Sequence, residues 1–224
     1  MKKILIAIMA IWLTACSQID TGNVGVESTL GQVKKETLPS GMYFTLFKRV
    51  TEVSAKELRL SLDDLKPQTS DKITLADLDV DIYIQIDPAK APAIMTKWPG
   101  DVTSVKGEEG SRVGMNFVTR QAREAVYAAV AKRNSSTVHT ERVQIAADMV
   151  AALQADLDAS AGKGMFFVRS ANVRNMVTDP ALEANIKAAA QAQFKLQEEK
   201  NRLEVAKVEA ERKRVANELR STGA

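Results

Sequence analysis

One cysteine, one histidine and a few paired carboxylates are the residues of this 224-residue chain that could do chemistry. Cys16 stands in LTACS, just after an apolar run. One thiol can form no intramolecular disulfide and is too few for a structural zinc site. Its useful property is nucleophilicity, since a thiolate is readily alkylated where a hydroxyl is not. His139, in NSSTVHTER, has no cysteine or second histidine at metal-ligand spacing, so a surface role is expected. A serine–histidine–aspartate assembly would lack the Gly-x-Ser-x-Gly elbow that presents such a nucleophile. Gly162-Lys163-Gly164 is too short for a phosphate loop and reads as a helix-to-strand turn. Asp63-Asp64 reads as a turn, and Asp79 and Asp81 as the wet face of a strand. Trp98-Pro99-Gly100 suits either a surface contact or a loop anchor. No catalytic residue, cofactor or metal site is expected, and a hydrolase is a distant reading.

The surroundings of Cys16 say more. Lys2 and Lys3 precede about ten apolar residues, Ile4 to Leu13, followed by the small residues Thr14 and Ala15. That order describes a secretory signal, and the apolar run is short of the roughly 20 residues that span a bilayer. Leu13-Thr14-Ala15-Cys16 resembles the bacterial lipobox, in which the thiol receives a diacylglycerol and cleavage makes that cysteine the first residue. The alternatives are an ordinary signal peptide or a short buried helix. On the lipobox reading, residues 1–15 are a lipoprotein signal peptide, Leu13, Thr14 and Ala15 are its recognition residues, and Cys16 is a membrane anchor. The chain would then be an extracytoplasmic, membrane-anchored lipoprotein on the periplasmic side. By resemblance to lipoproteins of double-membraned bacteria, Ser17 favours the outer membrane over the inner.

Apolar residues make up 45% of the chain and charged ones 26%, as in folded proteins, while aromatics are only 5%. The net charge of +3 includes Lys2 and Lys3, so a processed chain is near neutral. Nucleic acid is excluded as a partner, because that would need a basic stripe.

These residues are positioned by strands first. Residues 22–62 carry β-formers and turn residues that suit three short strands, with Met42, Phe44 and Leu46 on one face. In DLDVDIYIQID, Val80, Ile82, Ile84 and Ile86 alternate with polar positions, which predicts a strand with one buried face. Residues 70–76 are its expected hairpin partner, and residues 89–98 form a short helix after Asp87-Pro88. The polar stretch 99–114 reads as a loop. Period-3.6 patterns predict a helix over 115–132 with a stripe of Phe117 or Val118, Ala122, Ala125 or Val126, and Ala129. They predict another over 140–159, capped by Thr140 and burying Val143, Ala146 or Ala147, Val150, and Leu153 or Leu157. MFFVRSANVRNMV returns as a strand. The class is α+β: antiparallel strands, a helical pair and a returning strand over 16–179.

Residues 180–224 form a long alanine- and charge-rich helix of coiled-coil type, entered at Asp179-Pro180. At 1.5 Å per residue, about 40 residues give roughly 60 Å, against about 16 Å expected for the radius of gyration of a domain of this size. Such a helix needs either lateral partners or dense i,i+4 charge pairs such as Glu198–Arg202. Its apolar seam is Leu182, Ile186, Phe194, Val205, Val208, Ala216 and Leu219, closer to an eleven- than a seven-residue repeat. A solvated single helix is the other reading.

Four stretches in this order resemble the stomatin/prohibitin/flotillin/HflK-HflC (SPFH, band-7) superfamily: VGVESTLGQVKKETLPSGMYFTLFKRVTEV, TSDKITLADLDVDIYIQID, the pair NFVTRQAREAVYAAV and ERVQIAADMVAALQADL with Arg120, Arg123 and Arg142, and the coil after Asp179. The resemblance spans about residues 20–218. It implies a membrane-attached scaffold that self-associates through its coil into a homo-oligomer and organises or regulates membrane proteins, with a membrane protein or membrane protease as a possible partner. A lipidated Cys16 would replace the family's membrane-spanning segment. The alternative is a periplasmic adaptor or tether lipoprotein that uses its helix to bind a partner protein.

Overall fold

The computed structural model describes residues 16–104, 110–178 and 180–222. The expected signal peptide, residues 1–15 with Leu13, Thr14 and Ala15, and the expected cap Asp179 lie outside the described residues. The chain divides into two compact units, one ending at Val177 and the other beginning at Thr178.

The first unit is α+β. Its centre is β7 (Asp77–Ile86), the strand with the strict alternation, whose Leu78, Val80, Ile82, Ile84 and Ile86 are all buried. It lies between β6 (Leu58–Leu65) and β10 (Phe166–Val177), antiparallel to both. The expected hairpin partner, residues 70–76, is therefore corrected. Only an isolated bridge, Gln68 to Thr74, forms there, because the segment is committed elsewhere. Lys72 has a left-handed backbone (φ 63°) and Asp71 binds the hydroxyl and amide of Ser135 at 2.5 and 3.1 Å.

A second sheet runs in the order β3 (Gln32–Leu38), β2 (Asn23–Thr29), β5 (Arg49–Ser54), β9 (Ser111–Val113) and β8 (Val102–Ser104). Two further strands, β1 (Cys16–Ile19) and β4 (Gly41–Phe44), form a separate antiparallel pair. The stretch read as three strands thus holds five, β2 to β6, since the Leu30-Gly31 and Pro39-Ser40 turns each divide a run. Part of the expected loop 99–114 is strand as well, in β8 and β9.

Asp87 accepts a bond from the Ala89 amide and starts a 3-10 turn, which leads into α1 (Ala91–Lys97). Helix α2 (Met115–Ala131) buries the expected stripe, Phe117, Val118, Ala122, Ala125, Val126 and Ala129. Helix α3 (Arg142–Ser160) contacts α2 and β10 and buries the expected Leu153 and Leu157, but its line begins with Ile145 and Met149 rather than Val143 and Val150. Val143 is 78% exposed. Two apolar lines compete on this helix, and the one with the larger side chains removes more surface from water. Thr140 does not cap it; its hydroxyl donates to the Thr137 carbonyl, and the helix starts from Glu141. The second unit is helix α4, Pro180–Thr222.

Candidate membrane-facing site

Cys16 is exposed and opens β1, where it pairs with Phe44 of β4; Ile19, at the other end of the strand, pairs with Gly41. Ile19 is buried and seats the strand on the body. That seat needs a glycine beneath it, because a Cβ on Gly25 would fall 2.2 Å from the Ile19 Cδ1. One residue on, the Asp20 amide donates to Glu52 at 2.7 Å, and the Asn23 side-chain amide donates to the same oxygen at 2.7 Å. The thiol is therefore open to modification, and only Ser17 and Gln18 separate it from a buried anchor. An acyl group on Cys16 would tie the folded body to a bilayer with no slack linker. The face of Met42, Phe44 and Leu46 is not core; these side chains are 74%, 44% and 44% exposed.

The other chemistry-bearing residues are structural. Asp81 accepts from Ser61 at 2.8 Å and pairs with Arg174 at 3.1 Å, and Arg174 also binds Asp63. Asp79 accepts from the Asp64 amide at 3.1 Å. Asp63 of β6 and Asp81 of β7 thus share Arg174 of β10 across the sheet. His139 is half-buried in the α2–α3 connection. Gly162 and Gly164 both take positive φ, 122° and 72°, as a helix-to-strand turn requires. Trp98 is an internal anchor, stacked on Phe117 at 4.5 Å between ring centroids. A groove of about 770 Å³ between β3, α1 and the α3–β10 turn carries several lysines. Lys97 is spent on the carbonyls of Ser160 and Ala161 at the end of α3, Lys90 on that of Lys163, and Lys34 on Glu27. Among the described residues, no group of three or more His, Cys, Asp or Glu could hold a metal, and no helix is long and apolar enough to cross a membrane.

On α4, the expected seam residues Phe194, Val205 and Val208 are 77%, 58% and 50% exposed. Leu182, Ile186 and Leu219 lie in the same helix, with side chains outside the described set. Leu196 and Leu203, absent from the expected seam, are 55% and 63% exposed. At about 100° per residue, Phe194, Val205 and Val208 fall within about 60° of arc, and the two leucines lie on the opposite side. Helix α4 thus carries two apolar lines. The leucines are legible in the sequence only as a seven-residue spacing, distinct from the eleven-residue spacing of the seam.

The model of the SPFH domain / Band 7 family matches residues 17–211. No curated protein matches the chain significantly.

Proposed function

Because this chain belongs to the SPFH / Band 7 family, whose members associate with membranes and oligomerise, we propose that it is a lipid-anchored, extracytoplasmic scaffold that self-associates through α4 and organises or regulates membrane proteins. The observation that carries this reading is the pairing of an exposed thiol, fixed to the edge of the folded body, with a helix that exposes two apolar lines. The lipobox-like Leu13-Thr14-Ala15-Cys16 supports acylation at that thiol, and Ser17 supports the outer membrane. Most helical stability in proteins comes from packing of an apolar face, and lateral partners would supply that packing to α4.

The experiment is a double dissociation on protein extracted in mild detergent. Removal of residues 182–224 should convert a large particle to a monomer while a labelled fatty acid is still incorporated. Cys16→Ser should abolish that incorporation and processing at the same bond. A wild-type chain that stays monomeric at micromolar concentration defeats the scaffold. A truncated chain that keeps its size but loses a co-purifying protein favours an adaptor or tether instead.

A further inference from the structure

The groove between β3, α1 and the α3–β10 turn lies wholly within the first unit. Val33 and Met165 are half-buried against the core, and Pro92 and Ala93 of α1 extend the apolar lining. Around it stand five lysines, Lys34, Lys35, Lys90, Lys97 and Lys163, and no lining residue is acidic. A lysine stem can cover apolar surface by itself. Here the groove keeps about 770 Å³ with all five stems in place.

The hydrogen bonds of these lysines do not use up their charge. Lys90 and Lys97 donate to the carbonyls of Lys163, Ser160 and Ala161, at the end of α3 and in the turn beyond it. A carbonyl satisfies a donor without neutralising it, and a helix C-terminus offsets only about half a charge. Lys34 is matched by Glu27 at 2.6 Å. Lys35 and Lys163 are exposed, with no ion pair or side-chain hydrogen bond among the described residues. Roughly three positive charges thus surround an apolar floor without a counter-charge from the lining. They stand on three separate elements and do not converge on one buried polar point, so they suit several spaced carboxylates better than a single phosphate. The volume is in the range that takes several side chains, and the open cleft would leave an acyl chain largely in water.

We propose that this groove docks an acidic segment of a partner protein, whose carboxylates meet Lys35 and Lys163 while apolar side chains between them cover Val33, Pro92 and Met165. The proposal goes beyond the scaffold reading and needs neither acylation of Cys16 nor association through α4.

The test uses the full-length chain in a mild neutral detergent and a random dodecapeptide library displayed on phage. Selected peptides should carry net negative charge with apolar residues between the carboxylates. A dye-labelled member should bind Lys35→Glu/Lys163→Glu about tenfold more weakly, or worse. Those two positions hold no described contact of the fold, whereas Lys90 and Lys97 tie down the end of α3. Ala93→Trp fills the groove from an exposed helical position and keeps every lysine, and it should weaken the same peptide comparably. Binding to the unsubstituted chain should also fall steeply with added salt. Selected peptides without an acidic excess overturn the proposal, as does binding that ignores salt or the charge reversal. Loss in the charge-reversed chain but not in Ala93→Trp shows a charged surface and no groove. Displacement by dioctanoyl-phosphatidylglycerol below its micellar concentration assigns the groove to a lipid headgroup. Both of these also overturn it.

Discussion

Single side chains settle which of the chain's polar residues carry structure. Asp71 accepts the Ser135 hydroxyl and amide and the Thr69 hydroxyl at 2.6 Å, tying the 69–72 turn to the α2–α3 connection. The Ser135 hydroxyl, and then that of Thr69, hold the Asp71 carboxyl well below its usual range, at about 2. The folded state therefore favours the ionised form. Stability from this group is fully present above the unfolded value near 3.8, falls as the pH drops, and is lost below about 2. Asp71→Asn should lower the melting temperature by a few degrees at neutral pH and flatten its fall between about pH 4 and about pH 2. Equal acid slopes in the two proteins, followed by circular dichroism, would show that the contact contributes nothing. Residues such as these were the least legible in the sequence, because their partners are remote. Asp101 shows the same limit. Its carboxylate accepts the Asn116 and Phe117 amides at 2.8 and 3.1 Å and caps α2, while Gly114, the local cap position, offers no side chain. A capping search that reads only adjacent residues passes over it.

Elements were legible where one period dominates. Strand β7 and helix α2 bury the faces their patterns mark, because alternation and 3.6-residue stripes leave one economical orientation for each. Strands β8 and β9 were not legible: three mostly polar residues define no period, and their pairing comes from β5 and from each other. Helix α3 was half legible, since it offers two apolar lines and tertiary volume chooses between them. Helix α4 poses that problem with no described core to choose. Phe194, Val205 and Val208 form one line and Leu196 and Leu203 the opposite one, all exposed. Two lines suit a helix with a neighbour on each side. Burying a pair of such side chains contributes roughly 3 kcal/mol or more, about a hundredfold in association. Leu196→Glu/Leu203→Glu should leave only one kind of contact and reduce a larger assembly to dimers. Val205→Glu/Val208→Glu should do the same, and the four together should give monomers. Mass photometry in detergent reads the difference. If the leucine pair is silent, α4 has a single seam.

At the scale of the whole molecule, the two units have different sources of stability. Among the described residues, every buried apolar one lies at or before Met176, and Thr178 is the last buried one of any type. The first unit closes its own core, through β7 against β6 and β10 and through the Ile145–Leu157 line of α3. Helix α4 has no such core among its described residues. Its intrachain support is local, as in the Glu198–Arg202 pair at 2.7 Å and Glu211–Arg214 at 3.4 Å. Exposed pairs of this kind contribute only about 0.3–0.5 kcal/mol each. Association links stability to concentration by mass action, whereas a closed core does not feel it. Heating should therefore give two transitions. The helical signal of α4 should be lost first, at a temperature that rises with protein concentration. The body should melt later, at a temperature that does not, and a chain ending after Thr178 should keep only that second transition. A single transition independent of concentration would mean that α4 draws its stability from within its own chain, and its two exposed lines would need another explanation than neighbouring copies.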